Sequence, residues 1–168
     1  MKKVLLVIVA LNITLLALCS KPVEQPAEQE QAVKNVITDF YKNFDLKDIP
    51  TMMTFFRDDF MWYTANGMIL TNNKFAAFFS PIFENWKYVT TEVNIFDIRI
   101  EGAMAVARFS TKMQTDIKAT PIKNLHSMIL IYQFGEWKMW HHQESMQQLI
   151  INLYTGFNKG GFVCTGKI

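Results

Sequence analysis
Along this chain the spacing of apolar residues changes once, near residue 87, and that change limits the fold more than any motif. Before it, Ala32, Val33, Val36, Ile37, Phe40, Tyr41 and Phe44 recur at helical spacing, which predicts an amphipathic helix from about 28 to 45. Asp48 stands where it can cap a second short helix, with Pro50 in the first turn and Met52, Met53, Phe55 and Phe56 inside. Residues 59–65 are dense in aromatics and read as a strand, Asn66-Gly67 as a turn, and 68–70 as a short return. Thr71 can cap a third helix to about Trp86, where Pro81 predicts a kink or break. Beyond it the period is two. Residues 88–100, 103–116, 122–134 and 136–145 read as four long strands, with Glu101-Gly102 and Gly135-Glu136 as tight turns. Helices first and an antiparallel meander after them predict an α+β domain.

Half of the 168 residues are apolar, so a core is affordable in one domain. Two cysteines exclude a disulfide-rich scaffold and a four-cysteine zinc module. Without residues 1–19, which carry Lys2 and Lys3 and no acid, 15 basic residues face 15 acidic ones. That balance gives no electrostatic case for nucleic acid.

The first 19 residues read as an export signal: Lys2-Lys3, then an apolar run from 4 to 18 that is short for a bilayer span. Leu16-Ala17-Leu18-Cys19 resembles a bacterial lipoprotein signal, which makes Cys19 a candidate for lipidation. Ordinary cleavage after Cys19, or retention as an anchor, are the alternatives. The expected location is the periplasm or cell envelope, with contact to the membrane only through a lipid anchor. Residues 20–31 (SKPVEQPAEQEQ) read as a flexible tether, 32–146 as the folded domain, and 147–168, with the lone thiol of Cys164, as a tail.

Residues 40–67 (FYKNFDLKDIPTMMTFFRDDFMWYTANG) resemble the opening of SnoaL-like domains of the NTF2-like superfamily. Trp137-Lys138-Met139-Trp140-His141-His142-Gln143-Glu144-Ser145 is similar to that family's closing strand, often Trp-Lys-Ile-x-His-x-His-x-Ser, with Gln143 where the second His is common. The resemblance implies a cone: a strongly curved antiparallel sheet packed against three N-terminal helices. It also implies a cavity and, often, a homodimer through the outer sheet face, with Trp140 or Ile131 as the patch. Relatives that isomerise ketosteroids carry an Asp base and a Tyr. Matched through Phe-x-Asp-Asp, those positions fall here on Thr64 and Phe40, so neither role is filled.

Alternation sets Trp62 and Thr64 on one strand face and Tyr63 on the other. On the last strand it sets Trp137, Met139, His141, Gln143 and Ser145 against Lys138, Trp140, His142 and Glu144. Which set faces inward is open: the resemblance favours the His141 set, and the indole of Trp140 argues the reverse. His126 lies on another strand and can approach either His. The candidate pocket residues are therefore Trp62, Tyr63, Thr64, His126, His141 and Gln143. Asp58-Asp59 are adjacent on an extended chain and cannot readily share a site. Two adjacent His without a third ligand make a poor metal site, and no phosphate loop or nucleophile elbow appears, so no metal and no cofactor are expected. The expected function is non-catalytic binding of a small apolar ligand or a protein partner. The alternative is an isomerase, cyclase or hydrolase using His-centred acid–base chemistry.

Overall fold
The computed structural model describes residues 26–146. The export signal, Cys19, the first half of the tether and the tail with Cys164 lie outside them. Three helices, α1 (Pro26–Asp45), α2 (Ile49–Thr54) and α3 (Asn72–Asn85), lie among six strands: β1 (Phe56–Tyr63), β2 (Ile69–Thr71), β3 (Val89–Glu101), β4 (Met104–Thr115), β5 (Ile122–Gln133) and β6 (Glu136–Met146). The strands form one curved, unclosed sheet in the order β2-β1-β6-β5-β4-β3. The predicted elements appear in the predicted order. All pairs are antiparallel except β1 with β6, which run parallel because the helices and the whole meander lie between them.

Local chemistry accounts for the element ends. Asp48 caps α2, accepting from the Thr51 backbone N–H at 3.1 Å and the Thr51 hydroxyl at 2.7 Å. Phe56, expected inside that helix, instead opens β1: the Phe55 carbonyl accepts from the Met139 N–H at 2.8 Å, and Phe56 stacks on Phe60 at 4.0 Å. The helix α1 opens at Pro26, inside the segment read as a tether. Pro81 sits within α3 without ending it, on an exposed side where Ser80 and Asn85 donate to the Ala76 and Pro81 carbonyls at 2.7 Å. The hairpin turns lie one residue from their predicted places, at Gly102-Ala103 and Phe134-Gly135, since Glu101 pairs with Met104 and Gln133 with Glu136.

Two bulges bend the long strands. Phe96 is unopposed between Ile95 and Asp97 in β3, and Trp140 is unopposed between Met139 and His141 in β6. The concave face is filled at one end only. There Val33, Ile37 and Phe40 of α1 pack with Phe56, Phe60, Phe75, Met128, Leu130 and Met139 over the small Ala105 and Ala107. The other end is open.

Candidate functional site
The open end is a cavity of about 350 Å³, within the range of small-molecule sites. Its wall is aromatic and aliphatic, with Phe44 from α1, Phe78, Phe79 and Ile82 from α3, Trp86, and Met113 and Ile122 from the sheet. Its inner polar groups include Thr111, Asn124, His126 and Glu144 on three adjacent strands, and Tyr41 on α1.

Strand register explains how these groups meet. Asn124 faces Thr111 and His126 faces Phe109 across β4–β5, while His126 faces Glu144 and Met128 faces His142 across β5–β6. Diagonal neighbours on one face are within reach of long side chains. Thus the Thr111 hydroxyl is hydrogen-bonded to His126 Nε2 at 2.8 Å, and His126 Nδ1 to His142 Nε2 at 2.9 Å. His126 also stacks on Phe109 at 4.7 Å, and His142 on Trp62 at 4.5 Å. Beside this chain Glu144 accepts from the Trp62 indole N–H at 3.2 Å, from the Asn124 side-chain amide and from the Ala65 backbone.

Burial dominates the electrostatics. It lowers the His126 pKa to about 3, and it lowers that of His142 well below the imidazole range, with His126 adding to the effect. Burial raises the Glu144 carboxyl, which the Trp62 and Ala65 donors oppose. Burial, then the Glu144 charge, raises the Tyr41 phenol well above its usual value. At neutral pH both imidazoles are uncharged and Tyr41 keeps its proton. Of the buried polar atoms without a partner among the described residues, three belong to this cluster: the Tyr41 hydroxyl, Asn124 Oδ1 and His142 Nδ1. The first two belong to residues that line the cavity.

The candidates from sequence divide between the two sheet faces. Trp62, Thr64 and His126 line the cavity, although the Thr64 hydroxyl is engaged in its own turn, bonded to Asn66 Oδ1 at 2.6 Å and to the Met68 N–H at 3.0 Å. Tyr63, His141 and Gln143 do not join them. They lie together on the outer face beside Trp140, where the Tyr63 and His141 rings stack at 6.2 Å. The cause is the Trp140 bulge. Strict alternation ties His141 to Met139, but the extra residue shifts the phase, so Trp137, Met139, His142 and Glu144 all point inward. Trp140 itself turns out, donating to Asp59 at 3.1 Å beneath the Arg57 guanidinium. Asp58 and Asp59 are both exposed, outside the cavity. Sequence reasoning missed Tyr41, Thr111, Asn124, His142 and Glu144. Asn124 was within reach, two residues before His126 on the same face. His142 and Glu144 stood in the Trp140 set, and no residue type marks the bulge that brings them to the face of Trp137 and Met139. Among the described residues no group of three His, Cys, Asp or Glu could hold a metal ion.

A family model for the SnoaL-like domain matches residues 33–148. The chain belongs to the SnoaL-like family. Solved structures share the fold of this SnoaL-like domain at low identity. A candidate dehydratase of the NTF2-like family from Streptomyces avermitilis is 13% identical, with TM-score 0.66 over 73% of this chain and 98% of that one. An NTF2-like protein of unknown function from Pseudomonas putida KT2440 is 15% identical, with TM-score 0.63 over 70% and 85%. A ketosteroid isomerase-like protein from Erwinia carotovora atroseptica SCRI1043 is 15% identical, with TM-score 0.60 over 70% and 95%. Among curated proteins no sequence match is found.

Proposed function
We propose that this SnoaL-like domain binds a small, largely apolar molecule in its cavity without transforming it. The observation that carries this reading is an apolar-walled hollow of about 350 Å³ whose lining includes two unpartnered polar groups, the Tyr41 hydroxyl and Asn124 Oδ1. A guest that hydrogen-bonds to them relieves the cost of burying them bare. Turnover has less support. An imidazole with a pKa near 3 is a weak base at neutral pH, and both rings are committed to a hydrogen-bonded chain. A recessed cavity also suits a small molecule better than a protein partner. The sequence of Lys2-Lys3, the apolar run and Cys19 supports placing the domain on an exported, lipid-anchored chain.

One observation favours a second reading, acid–base catalysis in the same cavity. Glu144 is a carboxyl raised by burial, as a general base or acid must be. The dehydratase and isomerase names of fold neighbours are compatible with it. Mass spectrometry of the protein purified from its own membrane separates the two. The binding reading predicts one small molecule per chain, recovered unchanged after prolonged incubation, and an acylated Cys19. An empty protein, or a guest converted with time, contradicts the binding reading, and an unmodified residue 19 contradicts the lipid anchor.

A further inference from the structure
We infer that the preferred guest is an organic cation, an amine carried on an apolar body, held with its charge against Glu144. The inference rests on the cavity-binding reading and adds the chemical class of ligand. Of the cavity-lining residues Glu144 is the one acid and Lys118 the one base, and Lys118 is exposed where Glu144 is largely buried. Glu144 makes no ion pair among the described residues. Its three donors, the Trp62 indole, the Asn124 amide and the Ala65 backbone, are all uncharged. A carboxylate offers about four acceptor positions, so roughly one is left for a guest.

The imidazoles do not supply the missing positive charge. His126 Nδ1 and His142 Nε2 face each other at 2.9 Å, a spacing that accommodates one shared proton and not two. An anionic guest meets the Glu144 charge with no cation at the cavity floor. An ammonium group meets that charge in a cavity lined by the aromatic rings of Trp62, Tyr41, Phe44, Phe79 and Trp86, and such rings attract cations through their quadrupoles. The Tyr41 hydroxyl remains available to any acceptor on the guest.

The test uses three probes with one skeleton, 3-phenylpropylamine, 3-phenylpropan-1-ol and 3-phenylpropanoate, titrated calorimetrically at pH 7 into the wild type and Glu144→Gln. The expected order is amine, then alcohol, then acid, with about a tenfold gap between the first two. In Glu144→Gln the amine falls about tenfold and the alcohol stays within about twofold. Because that variant can fail to fold, the wild type is also titrated at falling pH, with its fold followed by circular dichroism. Protonation of Glu144 should erase the preference, while Tyr41 stays neutral, His126 stays neutral down to about pH 3 and His142 is held neutral by the same burial. An alcohol or acid that binds as tightly as the amine overturns the inference, as does a preference that survives loss of the Glu144 charge. If none of the three probes binds, the cavity-binding reading itself falls and takes this inference with it.

Discussion
His126 and His142 lie 2.9 Å apart, both buried and neutral, so each has a folded-state pKa below the ordinary 6.5. As pH falls, the unfolded chain takes up protons first. Their contribution is therefore intact above about pH 6.5 and is lost on the way down, for His126 until about 3. The slope is about 1.4 kcal/mol per pH unit per imidazole, or about 2 kcal/mol each by pH 5. Glu144, raised by burial, acts in the opposite direction. The histidine part is isolated by urea denaturation at pH 7 and pH 5 of the wild type against the double variant His126→Leu, His142→Leu. The wild type should lose about 2–4 kcal/mol more than the variant. Equal losses would mean that the imidazoles are protonated in the folded state. Phe40 gives a simpler case. It is fully buried, with rings of Tyr41, Phe55, Phe56, Trp62 and Phe75 around it. Phe40→Ala should cost about 3–5 kcal/mol by the same denaturation assay.

Among the elements, β6 decides which groups reach the cavity, and it does so through one extra residue. Deleting Trp140 leaves Met139 and His142 on the inner face, so a variant lacking it should keep a native-like NMR spectrum. Deleting Gln143 turns Glu144 outward and should abolish cooperative unfolding. The β5–β6 turn makes a second prediction. Phe134 and Gly135 have φ of 53° and 90°, both left-handed, as a type I′ turn requires, and Phe134 is fully exposed. Phe134→Asn should raise stability by roughly 0.5–1 kcal/mol, seen as a higher melting temperature, because Asn tolerates that backbone where Phe does not. The same strand marks the limit of what was legible from sequence. Periodicity, with cap, turn and aromatic-density signals, placed all nine elements, since hydrophobic spacing reports on which side of a helix or strand is buried. It placed Trp62 and His126 on the cavity. It left open which face of the last strand looks inward, and neither alternating set matches the structure, because alternation is only as good as its phase, and the phase slips at Trp140 for a reason that lies in sheet curvature and not in residue type. Tyr41 escaped for a related reason: whether it or Phe40 looks toward the hollow depends on how α1 rolls against the sheet.

At the scale of the whole molecule, the cavity exists because the concave face is incompletely filled. Bulges at Phe96 and Trp140 bend the sheet. One end of the concave face closes with Phe, Met and Leu over two small alanines, and the other retains a hollow under α1 and α3. Packing interiors to crystal-like density is the rule, so a retained hollow of this size calls for an occupant. The most direct measurement is a fluorescence titration with the neutral apolar dye N-phenyl-1-naphthylamine, made on the wild type and on Ile122→Trp, which places an indole in the cavity wall. The wild type should bind one dye per domain saturably, and the folded variant at least about tenfold more weakly. Equal binding to both proteins, or none to the wild type, would contradict the cavity-binding reading.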